Sequence, residues 1–212
     1  MEYRVDHISK GKIRPGKKLN LQYITIHSTG NPTSTALNER GWLTNPTNTR
    51  IASWHIAVDE KMAVEAIPLD EIAYHAGNRE GNNKSIGVEI CESGDRVKTL
   101  KNAAELTAKL LHEKNWGIDR LKRHYDWSGK NCPRILNYNN WEGWTKFKAD
   151  VAKELEQLKG GNIMPNTPSA WAKDAWEWAR KGKYLDGSRP RDPVTREELA
   201  IVIKKVVDRI EK

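Results

Sequence analysis

Four short runs rich in β-branched residues are separated by stretches with helical spacing, and that alternation restricts the chain to an α/β layer fold. The runs are 21–27 (Leu21-Gln-Tyr-Ile-Thr-Ile-His27), 53–58 (Ser53-Trp-His-Ile-Ala-Val58), 62–67 and 85–91 (Ser85-Ile-Gly-Val-Glu-Ile-Cys91), each read as a strand. Between and after them, Ser34 can cap a helix to about Leu43, which Asn45-Pro46 ends. A longer helix follows Thr99, with Ala103, Thr107, Leu110 and Leu111 on one face, and stops at Asn115-Trp-Gly117. A third runs from about Asn140 to Leu158, with Trp144, Phe147, Val151 and Leu155 at helical spacing. The expectation is a mixed central β-sheet flanked by helices.

Gly160-Gly161-Asn-Ile-Met-Pro165-Asn-Thr-Pro168 interrupts this pattern and reads as a linker. The chain then divides into a domain over 1–159, a linker over 160–167 and a small all-α helical hairpin over 168–212. The hairpin combines a Trp-rich helix from Pro168 to about Lys181 with one to about Ile210, started by the capping box Thr195-Arg-Glu-Glu198. Fewer than about 50 residues bury little apolar surface, so this module should dock on the first domain or pair with a second copy.

The formal charge of +8 is spread along all 212 residues and favours a polyanionic partner. Nucleic acid and an anionic cell wall both qualify, but no basic helix or zinc-finger spacing supports nucleic acid. No window approaches the roughly 20 apolar residues of a membrane span, and the first ten residues hold no apolar signal core. Synthesis in the cytoplasm without a signal peptide is therefore expected, with no membrane insertion. Cys91 and Cys132, the two cysteines, are read as free thiols in a reducing compartment.

The densest chemistry lies in His124-Tyr-Asp-Trp-Ser-Gly-Lys130-Asn-Cys132, followed by Pro133. A histidine and a thiol on one short Gly-containing loop can reach a single metal ion, and His27 at the end of an apolar strand can supply a third ligand. Two imidazoles and a thiolate suit Zn2+ and leave a fourth position for water, as catalytic sites do. Strand alternation puts Glu89 on the face of Cys91, opposite Val88 and Ile90, where it is either a general base or a partnered surface carboxylate. Lys130 is either an oxyanion-stabilising cation or an ordinary solvated lysine. Among the other histidines, His7 and His112 read as exposed and His55 as a hydrogen-bonded structural residue. His75 either contacts a ligand or stabilises a turn.

Five motifs in this order, Ile26-His27-Ser-Thr-Gly30, Ser53-Trp-His-Ile-Ala-Val-Asp59, His75-Ala-Gly-Asn78, Ser85-Ile-Gly-Val-Glu89 and His124 through Lys130-Asn-Cys132-Pro133, resemble the zinc-dependent N-acetylmuramoyl-L-alanine amidases. That family includes phage endolysins and shares its fold with the peptidoglycan recognition proteins; the likeness covers roughly residues 20–158. It implies that His27, His124 and Cys132 bind zinc, that Glu89 is the catalytic carboxylate and Lys130 its assistant, and that His75 and Asn78 line a glycopeptide groove. Some members carry a proton-transferring Tyr before the strand histidine. Trp54 stands there in this chain, so proton transfer rests on Glu89 and Trp54 becomes a packing or sugar-stacking surface.

The resemblance implies hydrolysis of peptidoglycan between N-acetylmuramic acid and L-alanine. It fits a phage or prophage endolysin that leaves the cytoplasm through a holin-type pore. A cytosolic muropeptide-recycling amidase and a non-catalytic peptidoglycan-binding module are the alternatives. The C-terminal module is similar to a single surface-layer-homology-type repeat, which implies either binding of secondary cell-wall polymers or a docking and homodimer-forming role.

Overall fold

The computed structural model describes residues 1–159, 172–184 and 196–210. Two compact units divide the chain, Met1–Leu158 and Lys159–Lys212. In the first, six strands form one sheet: β1 (Glu2–Val5), β2 (Tyr23–Ser28), β3 (Ile56–Val58), β4 (Met62–Glu65), β5 (Ser85–Ile90) and β6 (Leu121–Arg123). Their spatial order is β1-β4-β3-β5-β2-β6, and every neighbouring pair is parallel except β3 with β4. Five helices belong to this unit: α1 (Ala36–Leu43), α2 (Arg79–Lys84), α3 (Arg96–Glu113), α4 (Tyr125–Ser128) and α5 (Glu142–Leu158). The mixed sheet with flanking helices is the architecture expected from the alternating patterns.

Strand periodicity decides which side chains meet the helices. Ile24 and Ile26 of β2, Ile56 and Val58 of β3, and Ile86, Val88 and Ile90 of β5 pack in one cluster with Ala103, Leu106, Leu110 and Leu111 of α3 and Phe147, Val151 and Leu155 of α5. Full burial of each such aliphatic side chain contributes about 1.5–3 kcal/mol. The alternate positions point the other way. There Ala57, Val64 and Cys91 join Trp54 and the inward residues Ala36 and Leu43 of α1 in a second cluster. His27 and Glu89 occupy this second face, which α1 covers only in part.

Several boundaries differ from the sequence expectation for local physical reasons. Thr35, not Ser34, caps α1, through a capping box with Asn38. α3 begins at Arg96, four residues before the start expected just after Thr99, because the Asp95 side chain accepts from Val97 and Lys98 N–H. The expected strand at 53–58 is shortened to Ile56–Val58, since the Ser53 hydroxyl leaves the ladder to donate to the Ile13 carbonyl and accept from Tyr74 N–H. β1, β6 and α2 were not anticipated. β1 is an exposed edge strand, β6 has three residues, and α2 (Arg-Glu-Gly-Asn-Asn-Lys) carries no apolar periodicity.

In the second unit, α6 (Lys173–Lys181) and α7 (Arg196–Ile210) are both helical as expected. Trp178 of α6 stacks on Tyr184 with ring centroids 5.0 Å apart, and Leu199, Ile203 and Val207 recur at four-residue spacing on α7, all exposed. The linker 160–168, the helix start at Pro168 and the capping box at Thr195 lie outside the described residues. No described helix is long and apolar enough to cross a membrane.

His55, fully buried just before β3, ties the sheet to a neighbouring loop. Its Nδ1 accepts from Gly87 N–H at 2.9 Å and its Nε2 donates to the Glu71 carbonyl at 2.8 Å. Burial lowers its pKa from 6.5 to about 4, so the folded state holds the neutral ring. Between these values the unfolded chain binds the extra proton, and stability falls as pH drops from about 6.5 toward 4, by roughly 3 kcal/mol if His55 acts alone. Urea unfolding of the metal-free protein between pH 7.5 and pH 4.5 should show this loss, and His55→Gln should flatten the slope while lowering stability throughout. An unchanged slope in the variant would remove His55 as a source of acid sensitivity.

Candidate active site

The parallel register of β2 on β5 sets His27 directly beside Glu89. Their side chains project from the sheet face opposite α3 and α5, and His27 Nδ1 lies 3.8 Å from Glu89 Oε1. β6 lies on the other side of β2, and His124 immediately follows it, donating its backbone N–H to the Ile26 carbonyl at 3.2 Å. The four-residue helix α4 then turns the chain back. It closes at Gly129, whose φ of 71° falls in the left-handed region that glycine adopts without strain. Tyr125 N–H reaches the Cys132 carbonyl at 3.0 Å, so the backbones carrying His124 and Cys132 are joined.

Three ligand atoms converge as a result. His27 Nδ1 and His124 Nδ1 are 3.1 Å apart, Cys132 Sγ is 3.8 Å from His27 Nδ1, and all three residues are buried within 4.8 Å of one another. This trio could hold a metal ion. A hydroxyl chain anchors its supports: Trp127 Nε1 of α4 donates to Thr25 Oγ1, Thr25 to Ser85 Oγ, and Ser85 to the Gly81 carbonyl, at 2.8, 2.7 and 2.7 Å. Each donor has an acceptor and the chain ends on a carbonyl, so no buried polar hydrogen is stranded.

Burial dominates the electrostatics. It drives the His27 pKa well below 6.5, with His75 and His124 adding to the effect, and lowers His124 to about 4, with Lys130 adding. It pushes the Cys132 thiol up to about 12 and Glu89 up to about 8, where Glu39 adds and Lys130 opposes. Glu89 Oε2 makes no hydrogen bond among the described residues. Two neutral imidazoles, a thiol and a protonated carboxyl are the forms this pocket favours by itself; a divalent cation reverses the preference for the last two.

The trio and Glu89 form the floor of an open cavity of about 810 Å³, with exposed Lys130 on its rim. Trp54 stacks on Trp42 at 5.7 Å in the cavity wall, and its indole Nε1 is buried without a partner among the described residues. His75 also lines the cavity but is buried beside His27, with Nδ1 3.0 Å from His27 Nε2 and Nε2 3.0 Å from the Ser85 carbonyl, so neither ring nitrogen is free. Asn78 is not brought to the cavity. Its Oδ1 caps α2 by accepting from Gly81 N–H, and its Nδ2 donates to the Trp127 carbonyl. Cys91 and Cys132 are both free thiols.

Residues 17–135 match the family described as N-acetylmuramoyl-L-alanine amidase. The chain belongs to this family. It is 37% identical over 213 residues to the amidase CwlA of Bacillus subtilis, covering 94% of this chain and 76% of CwlA. It is 38% identical to XlyB of the same organism over 80% of this chain, but spans only 53% of XlyB. The solved catalytic domain of XlyA superposes with a TM-score of 0.65 at 37% identity, covering 71% of this chain and 99% of that domain. The PlyG catalytic domain, solved in solution, gives 0.62 at 32% identity, covering 80% and 100%.

Two acids in this chain escaped the sequence reading. Glu39 lies in the cavity wall on the inward side of α1, where it shares three- and four-residue spacing with Ala36 and Leu43. That spacing is the signal that could have revealed it. Glu92, just past β5, accepts from Gly30 N–H at 2.8 Å and from Arg134 Nη2 at 2.5 Å, while Arg134 N–H donates to Ser28 Oγ at 3.0 Å. One buried carboxylate thus clasps the loop after His27 to the turn after Cys132. Arg134 is half exposed and Glu92 only 4% exposed in its side chain. Glu92→Ala should therefore cost about 1–3 kcal/mol, because it removes the buried acceptor that Gly30 N–H and Arg134 share. Urea unfolding decides this, and a Glu92→Ala protein as stable as the unaltered chain would contradict the clasp.

Proposed function

We propose that this chain hydrolyses the amide between the lactyl group of N-acetylmuramic acid and L-alanine of peptidoglycan, with zinc held by His27, His124 and Cys132. The observation that carries the reading is the convergence of two neutral imidazoles and a thiol beside an orphaned carboxyl on the floor of an open groove. The donor set fits the ion. Tetrahedral zinc at about 2.05 Å from nitrogen and 2.3 Å from sulfur needs about 3.3 Å between nitrogens and 3.6 Å from nitrogen to sulfur. Two of the three observed separations are 3.1 and 3.8 Å, and all three lie within 4.8 Å.

When bound, zinc supplies Lewis acidity, polarising a carbonyl and lowering the pKa of water from near 16 toward about 7. Glu89 takes a proton from the attacking water as the new C–O bond forms. It returns that proton to the amide nitrogen as the C–N bond breaks, leaving a carboxyl on the lactyl group, whose remaining proton passes to the released L-alanine amine, so that a carboxylate and an ammonium result. Lys130, on the rim, offsets negative charge that develops on the carbonyl oxygen. The stacked Trp42 and Trp54 offer an apolar wall for a sugar face.

The distributed charge of +8 favours intact, anionic wall as substrate, which supports an endolysin that reaches the wall after release through a pore. The second unit then serves to bind wall polymers or to pair with a second copy, and the exposed Trp178 beside Tyr184 gives it an aromatic surface. Glu89→Ala should retain stoichiometric zinc and lose about 10²–10⁴-fold in release of L-alanine amino termini from purified sacculi. Full activity in that variant would remove Glu89 from the mechanism. Zinc binding by the unaltered protein without amine release would favour a recognition module, and cleavage of soluble muropeptides alone would favour a recycling enzyme.

A further inference from the structure

We infer that His75 is a positioning residue, which fixes the tautomer and orientation of His27 so that Nδ1 presents a lone pair to Cys132, His124 and Glu89. The argument starts at a backbone carbonyl. Ser85 O can only accept, so His75 Nε2, 3.0 Å away, carries the hydrogen. A neutral imidazole with hydrogen on Nε2 has a bare Nδ1. That nitrogen lies 3.0 Å from His27 Nε2, which must therefore donate. His27 is left bare at Nδ1, the atom 3.1 Å from His124 Nδ1 and 3.8 Å from both Cys132 Sγ and Glu89 Oε1. A carbonyl on β5 thus determines, through two rings, which nitrogen of His27 is available as a ligand.

The surroundings hold His75 for this task. Its own backbone N–H and that of Ala76 both donate to Asn82 Oδ1 of α2, at 2.9 and 2.8 Å. Its ring lies against Gly87, where an added Cβ would come within 2.6 Å of His75 Cγ, so β5 carries no side chain at the one place the ring needs. Gly87 N–H is in turn occupied by His55 Nδ1 and does not compete for the His75 ring. The His27 and His75 rings meet edge to face, 5.1 Å between centroids and 88° between planes, and a ring donating in its own plane cannot rotate without losing that bond. Groups that hydrogen-bond the far nitrogen of a ligating histidine fix its orientation and raise its basicity.

The inference rests on the zinc reading of the cluster, but its test separates the two. Long-range proton–nitrogen NMR of the metal-free full chain should show His27 as the Nε2–H tautomer. His75→Asn, which keeps an acceptor near the position of Nδ1, should preserve that tautomer, whereas His75→Phe, which keeps the ring shape without nitrogens, should lose the preference. Chelator competition should then show zinc affinity weakened about 10- to 100-fold by His75→Phe and largely rescued in His75→Asn. An Nδ1–H tautomer in the unaltered protein, or a folded His75→Phe with unchanged zinc affinity, would overturn the assignment. If His75→Phe fails to fold, the tautomer of the unaltered protein and of His75→Asn decides. Failure of the unaltered protein to bind zinc would instead sink the metal reading and leave the tautomer result to judge His75.

Discussion

The period-two alternation of side chains on two parallel neighbouring strands is the constraint from which the site follows. β2 and β5 pair so that His27 stands beside Glu89, and the same register sends Ile24, Ile26, Val88 and Ile90 into the layer beneath α3 and α5. A slip of one residue would exchange the two sets, burying an imidazole and a carboxyl under apolar helices and exposing four aliphatic side chains. The hydrophobic energy of the helical layer and the placement of the reactive groups are therefore one choice. Sites on rigid strands keep their geometry better than sites on loops, and two of the four floor residues are held in this way.

His124 and Cys132 come from a loop and need other fastenings. The backbone link from Tyr125 to Cys132, the hydroxyl chain from Trp127 to Gly81 and the Glu92 clasp supply them. Low dielectric raises the stakes at every titratable group here, because each ionised form loses solvation that only a nearby opposite charge restores. His75 extends the same economy of placement behind the floor: its two nitrogens serve His27 and the sheet, not the groove.

The residues most legible in the sequence were those whose chemistry is rare. A strand-end histidine and a loop with His124, Lys130 and Cys132 stand out because few structural needs call for them, and β2 and β5 stand out by alternation. What escaped had no local signature. α2 is polar throughout and exists because Asn78 caps it and β5 follows; β1 takes its place from pairing with β4 while its side chains remain exposed. Glu92 is one acid among 28, and only tertiary contacts distinguish it, whereas Glu39 was betrayed only by its helical spacing with Ala36 and Leu43. The resemblance implied a groove role for Asn78, whereas its amide caps α2 and donates to the Trp127 carbonyl. His75 illustrates the same limit, since the partners of its ring nitrogens are 10 and 48 residues away in the chain, whereas His55 is the hydrogen-bonded structural residue expected.

The central claim is that two imidazoles and one thiolate, remote in sequence, bind one zinc ion. X-ray absorption at the zinc edge of the reconstituted full chain tests it most directly. The account predicts one sulfur at about 2.3 Å and nitrogen or oxygen neighbours at about 2.0–2.1 Å, with the sulfur shell lost in Cys132→Ser. A zinc spectrum without sulfur in the unaltered protein, or one indifferent to Cys132→Ser, would contradict it.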